Sequence, residues 1–159
     1  MSLHPLLIIA LCSCVSLAQA VELTSATNLR TEVETANRQG SALIILYSRQ
    51  RCPYCEIVRR DYLHPLQNQS PDRDKVVVRQ INIDSDAPLT DFSGKPTTHA
   101  RFSAQQKIKL VPVVAFYGQH GETLSAPIIG VRIADFYQSY LEDAIKDSAK
   151  RLGEKSSLR

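Results

Sequence analysis

Apolar residues recur along this chain in two rhythms, continuous runs of strand length and stretches with helical spacing, and their order predicts one layered α/β domain. Glu22 and Leu23 open a short edge strand. Thr24 or Ser25 caps a helix reaching about residue 39 that puts Leu29, Val33 and Ala36 on one face, and Gly40 ends it. Residues 42–47 (ALIILY) form an unbroken apolar run, as a strand buried on both faces requires. From residue 52 to about 64 the spacing is helical, with Cys55, Ile57, Val58 and Tyr62 inward. Pro65 then disfavours helix at the residue before it. A polar turn over 68–75 leads to a strand over 76–83, a polar loop over 84–96 and a short helix over about 98–106. Strands over 113–117 and about 123–129 follow, separated by a turn around Gly118 and Gly121. After Gly130 a last helix runs over about 133–152 with Phe136, Tyr140, Leu141 and Ile145 as its inner stripe. The element order is (β)αβαβαββα, without internal repeat or linker.

Charge alters this picture at the N-terminus, since residues 1–20 contain no Lys, Arg, Asp or Glu. An apolar run over 6–17 ends in Ala18-Gln19-Ala20, a pattern that predicts a secretory signal peptide cut after Ala20. The run is too short to cross a hydrocarbon core of about 30 Å as a helix, so no stable membrane insertion is expected. Cys12 and Cys14 read as small apolar filler removed with the signal, in preference to a lipid-anchored cysteine. The expected organisation is a signal peptide over 1–20, a domain over 21–152 and a polar tail over 153–159. The 19 basic and 16 acidic residues are mixed in sign, giving a net charge of +3. That is no electrostatic case for a nucleic-acid partner, which needs a concentrated basic face.

Processing leaves Cys52 and Cys55, a single C-x-x-C pair in an oxidising compartment. Zinc would need four ligands, and His64, His99 and His120 have no paired spacing. Copper handling is disfavoured because Met1 is the only methionine and no histidine lies near the pair. A purely structural bridge closing so small a ring constrains little unfolded-chain entropy. A redox-active pair is therefore the favoured reading, with no metal and no cofactor.

Cys52 falls where a helix begins, so its sulfur faces backbone N–H groups that lack an intrahelical partner, at the positive end of the helix dipole. Both favour the thiolate, the attacking species. Cys52 is thus the expected nucleophile, and Cys55, one turn inside the helix, the resolving thiol. Arg51 and Arg49 add to thiolate stabilisation if they turn inward; otherwise they, with Arg59 and Arg60, form a solvated face. Pro53 suits the first helical turn, where its missing N–H is no loss. Tyr54 brings a ring beside the sulfur but no imidazole.

Several pieces together carry a resemblance over nearly the whole mature chain. They are a buried strand running into CPYC (Cys52 to Cys55), Asn82-Ile83-Asp84 ending the next strand, Val111-Pro112 before a strand, the His120-Gly121-Glu122 turn, and Ile129-Gly130 before the last helix. The chain resembles thioredoxin-fold proteins, and among them small exported thioredoxin-like proteins of the SoxW type. That resemblance implies an α/β thioredoxin-like fold with a central mixed sheet flanked by helices and the C-x-x-C at a strand-to-helix junction. It also implies a cis peptide bond before Pro112, with Val111 pairing to a substrate strand. Pro53, Tyr54, Val111 and Pro112 are then the candidate substrate-contacting residues. Two positions depart from the pattern: Arg51 stands where many thioredoxins have Trp, and Leu46 where a proton-shuttling Asp is usual. CPYC itself is better known from glutaredoxins, but no Gly-Gly pair follows the 111–117 segment, which leaves glutathione chemistry a minor option.

The expected activity is a periplasmic thiol:disulfide oxidoreductase that reduces disulfides of other exported, cysteine-containing proteins, acts as a monomer and draws electrons from a membrane donor. A disulfide-donating oxidant and a non-catalytic thioredoxin-fold binding module with Cys52 and Cys55 locked together are the alternatives.

Overall fold

The computed structural model describes residues 22–69, 76–131 and 134–157; the expected signal peptide, with Cys12 and Cys14, lies outside them. Strand β1 (Leu43–Ser48) is buried along its whole length. Its even and odd positions serve opposite sides of the sheet. Leu43, Ile45 and Tyr47 pack with helix α1 (Leu29–Arg38) and Phe102, while Ile44 and Leu46 pack with Val58, Leu63, Tyr137 and Leu141. This double burial is why the segment reads as a continuous apolar run.

Four strands form the main sheet in the order β2-β1-β5-β6. β2 (Val77–Asn82) runs parallel to β1, with Ser48 opposite Asn82. β5 (Val113–Tyr117) is antiparallel to β1, pairing Val113 with Tyr47, and β6 (Ile128–Ile129) pairs Ile129 with Val113. The ends of β1 and β2, the start of β5 and the end of β6 therefore meet at one end of the sheet.

Helix α1 begins at Leu29 rather than after Thr24 or Ser25. Asn28 caps it, its side chain accepting from Thr31 N–H, because the preceding residues pair with β2 instead: Ala26 N–H donates to Gln80 O and Gln80 N–H to Thr24 O, both at 2.9 Å. The loop expected over 84–96 contains a small hairpin of β3 (Pro88–Thr90) and β4 (Pro96–Thr98). Asp91 Oδ1 closes its turn by accepting from Ser93 and Lys95 N–H at 2.8 Å. Phe92 at the tip packs on Tyr117 and Phe102, with centroids 5.0 and 5.8 Å away, so the segment is anchored by aromatic burial. Strands of three residues, each with a proline, are too short to show alternation.

Helix α4 (His99–Gln105) carries Phe102 into the core. Where a strand was expected over 123–129, only Ile128–Ile129 forms ladder, with Thr123 bridged to Tyr117. The last helix, α5 (Ala134–Ser156), continues past Leu152. Its buried residues are Tyr137, Leu141, Ala144 and Ser148, not Phe136 and Tyr140, which are exposed. Both stripes contain an aromatic residue at helical spacing, and contact with Phe116 and Val114 selects the one that includes Tyr137.

Candidate active site

The segment after β1 turns once before re-entering helix. Arg51 takes the left-handed conformation with φ of 51°, and Cys52 follows with φ of −105° as the N-cap of α2 (Pro53–Ile57). Pro53 occupies the first helical position, as its fixed φ and absent N–H favour. The chain then stays helical through a π-helical stretch, Val58–Leu63, and α3 (His64–Gln69). This differs from the break expected at Pro65. His64 N–H donates to Arg59 O, five residues back, and the widened turn accommodates a proline whose missing N–H and bulky ring disfavour a regular α-turn.

Cys52 and Cys55 are joined by a disulfide with Cα atoms 5.2 Å apart. Cys55 is fully buried and Cys52 partly exposed, and Cys52 Sγ accepts from Cys55 N–H at 3.2 Å. The sulfur on the accessible side thus faces the helix N-terminus, while the other is sealed against the core. Tyr54 is 65% exposed.

Sheet register brings the remaining candidates to the same end. The Val111–Pro112 peptide bond is cis, Pro112 is buried, and its carbonyl accepts from Gly130 N–H at 2.9 Å. Val111 is half-buried between Pro112 and the exposed Leu110. Leu110 and Ile129, with Tyr54, give this end three of the large exposed apolar side chains. Leu46 is fully buried, paired with Gln80 on one side and Val114 on the other.

Sequence position alone assigns Arg59 and Arg60 to a solvated face, and only Arg60 fits that description. Arg60 is exposed and bonded to neighbouring Asp61, Nη2 to Oδ2 at 2.8 Å, which holds the Asp61 carboxyl below its ordinary range. The Arg59 side chain is only 14% exposed. It donates to Gln80 Oε1 at 2.8 Å, to Ser48 Oγ at 3.4 Å and to the Glu56 carboxylate. Gln80 in turn donates to Asn82 Oδ1 at 2.9 Å. Ser48, at the buried end of β1, supplies the hydroxyl. The available sequence signal is position: residue 59 lies one turn beyond Cys55, on the side that faces the sheet.

A groove of about 530 Å³ opens beside Cys52, lined by Glu56, Arg59, Gln80 and Asn82 of this network and by Arg49 and Arg51. Among the described residues no group of three His, Cys, Asp or Glu side chains is placed to hold a metal ion.

A mixed sheet flanked by helices, with a C-x-x-C disulfide at the first residues of a helix, defines a thioredoxin-fold protein with a redox-type cysteine pair. The chain belongs to the thioredoxin-like domain family, whose model matches residues 29–145. It is similar to mitochondrial thioredoxin 3 of Saccharomyces cerevisiae in its oxidized form, at 20% identity over 79% of this chain and 94% of that one, with a TM-score of 0.51. It is also similar to Fasciola hepatica thioredoxin (13% identity, 78% and 97% covered, TM-score 0.52) and to a mutant thioredoxin of Halobacterium salinarum NRC-1 (12%, 80% and 95%, 0.52). These likenesses concern the fold. No curated protein matches the chain.

Proposed function

We propose that the protein is an exported thiol:disulfide oxidoreductase working as a reductase of disulfides in other exported proteins. The observation that carries this reading is the asymmetry of the cysteine pair, one residue partly exposed at a helix start and lining a groove, its partner fully buried behind it. In the reduced protein the Cys52 thiolate attacks one sulfur of a substrate disulfide. That bond breaks, its second sulfur leaves as a thiolate and takes a proton, and a mixed disulfide on Cys52 remains. Cys55 then loses its proton and attacks Cys52 Sγ, which closes the Cys52–Cys55 bond and releases the other substrate thiol. Two electrons pass from the pair to the substrate. A donor must return them, and a membrane protein is the proposed source.

The surroundings suit a peptide substrate. Among the described residues no backbone group pairs with the Val111 main chain, and Tyr54, Leu110 and Ile129 offer apolar contact around it. Export is proposed from the uncharged, apolar first twenty residues. No helix among the described residues is long and apolar enough to cross a membrane.

Trapping tests the chemistry and the order of the two sulfurs. With Cys55→Ser, mixed disulfides on Cys52 persist and appear on non-reducing gels, whereas Cys52→Ser accumulates few. Equal trapping by both variants, or trapping by Cys52→Ser alone, reverses the assignment. A pair that resists alkylation even after mild reductant indicates a locked binding module.

A further inference from the structure

The groove beside Cys52 carries three guanidinium groups, Arg49, Arg51 and Arg59, against two carboxylates, Glu22 and Glu56. Arg59 and Glu56 are bonded to one another. Arg49 and Arg51 are exposed, and among the described residues neither has an ion-pair or side-chain hydrogen-bond partner. Asp84, beyond the end of β2, is engaged by the Gln50 N–H at 3.2 Å and does not line the groove. Arg49 and Arg51 thus line the same groove as Cys52, where Glu56 is paired with Arg59 and Glu22 is the other carboxylate, with Asp84 beside Gln50 just outside the lining.

Arg51 adds an independent observation. Its φ of 51° lies in the left-handed region, where a long side chain is disfavoured and glycine is the usual occupant. This turn nevertheless bears an arginine immediately before the nucleophile. Its side chain lines the same groove as Cys52, and a fixed positive charge there acts on the approach and seating of charged partners.

We infer that Arg49 and Arg51 select substrates whose disulfide is flanked by Asp or Glu, so that the natural partners are acidic at the cysteine to be reduced. This rests on the reductase reading above and narrows its substrate class. Each contact is a rim charge in solvent, so the effect is one of preference: about fivefold faster exchange with an acidic flank than with a basic one at low ionic strength.

Three synthetic peptides with the same intramolecular disulfide, flanked by Glu, Gln or Lys, test it. Reduced protein with Cys12 and Cys14 replaced by Ser is mixed with each, exchange is quenched by alkylation, and rates are divided by those of dithiothreitol to remove the peptides' intrinsic reactivity. The Glu peptide should lead the Lys peptide by about fivefold. That ratio should approach one in about 1 M salt, where the Debye length is about 3 Å. It should collapse in Arg49→Gln with Arg51→Gln, and also in Arg49→Gln with Arg51→Gly, which suits the backbone at position 51. Arg38→Gln, at the opposite end of β1, serves as control and should leave it intact. A ratio at or below one, or one that survives loss of both arginines, overturns the inference while leaving the redox reading in place. Absence of exchange with all three peptides overturns both.

Discussion

Arg59 Nε donates to the amide oxygen of Gln80 across 2.8 Å, fastening the helix that carries Cys55 to strand β2. The same guanidinium reaches Ser48 at the end of β1 and Glu56 on its own helix. A cation only 14% exposed thus ties this helix to β1 and β2 beside the groove at Cys52. Its planar fork is what allows one side chain to serve all three.

Removing that fork should loosen the site measurably. Arg59→Met keeps the aliphatic stem but leaves Gln80 Oε1 and the buried Ser48 hydroxyl without this donor, so a loss of about 1–3 kcal/mol is expected. Arg59→Lys should recover part of it, since the charge remains and the fork does not. Urea denaturation of the oxidised protein provides the comparison, with the slope of free energy against urea unchanged. A loss below about 0.5 kcal/mol would place Arg59 among ordinary surface residues.

His99 makes a second fastening at the same end of the sheet. The ring is 1% exposed; its Nδ1 accepts from Asn82 N–H at 3.1 Å, and Nε2 lies 2.8 Å from Ala26 O. Those partners assign the ring proton to Nε2. His99→Leu fills similar space but strands the part-buried Asn82 N–H and the buried Ala26 carbonyl, at up to about 1–3 kcal/mol each. The urea midpoint should therefore fall further than for Arg59→Met. An unchanged midpoint would mean that water replaces both contacts.

What the sequence disclosed, and what it hid, divides along sequence separation. β5 was legible to the residue and β1 to within one, because a strand buried on both faces leaves an apolar run. CPYC was legible because all its parts are local. The start of α1 was not, since Thr24, Ser25 and Asn28 are all good caps and only pairing with Gln80 on β2 decides among them. Arg59 failed for a related reason. Its strand partners lie 11 and 21 residues away, and a charged residue on a helix gives no local sign that a strand will supply them. The aromatic faces of α5 were ambiguous until Phe116 and Val114 fixed which one packs.

Three buried phenols among the described residues should make stability fall at alkaline pH. Burial pushes the hydroxyls of Tyr47, Tyr117 and Tyr137 above the ordinary tyrosine value of 10.0. Above pH of about 10 the unfolded chain therefore releases protons that the native state retains. The unfolded state binds fewer protons there, so stability, complete below that pH, falls as pH rises. The Tyr137 hydroxyl is also buried and, among the described residues, has no hydrogen-bond partner. Tyr137→Phe should consequently gain about 1 kcal/mol at neutral pH and show a shallower decline over the range from about pH 9 to about pH 11. Parallel declines in the two proteins would show that this phenol is not among the groups responsible.

The residue between Pro53 and Cys55 bears on the direction of electron flow. An imidazole there would add a positive charge beside the Cys52 thiolate and stabilise the reduced pair, making it more oxidising. Tyr54 brings a neutral ring and is 65% exposed, so its side chain offers no such charge. The couple should accordingly lie on the reducing side of the interval between thioredoxin, near about −270 mV, and DsbA, near about −120 mV. Equilibration with glutathione buffers, read by alkylation of Cys52, measures it. A value below about −200 mV is expected, and Tyr54→His should raise it by about 30 mV, a tenfold shift in the exchange equilibrium. A potential near the oxidant end would make the protein a disulfide donor, and a Tyr54→His variant with unchanged potential would show that position 54 does not act on the sulfur.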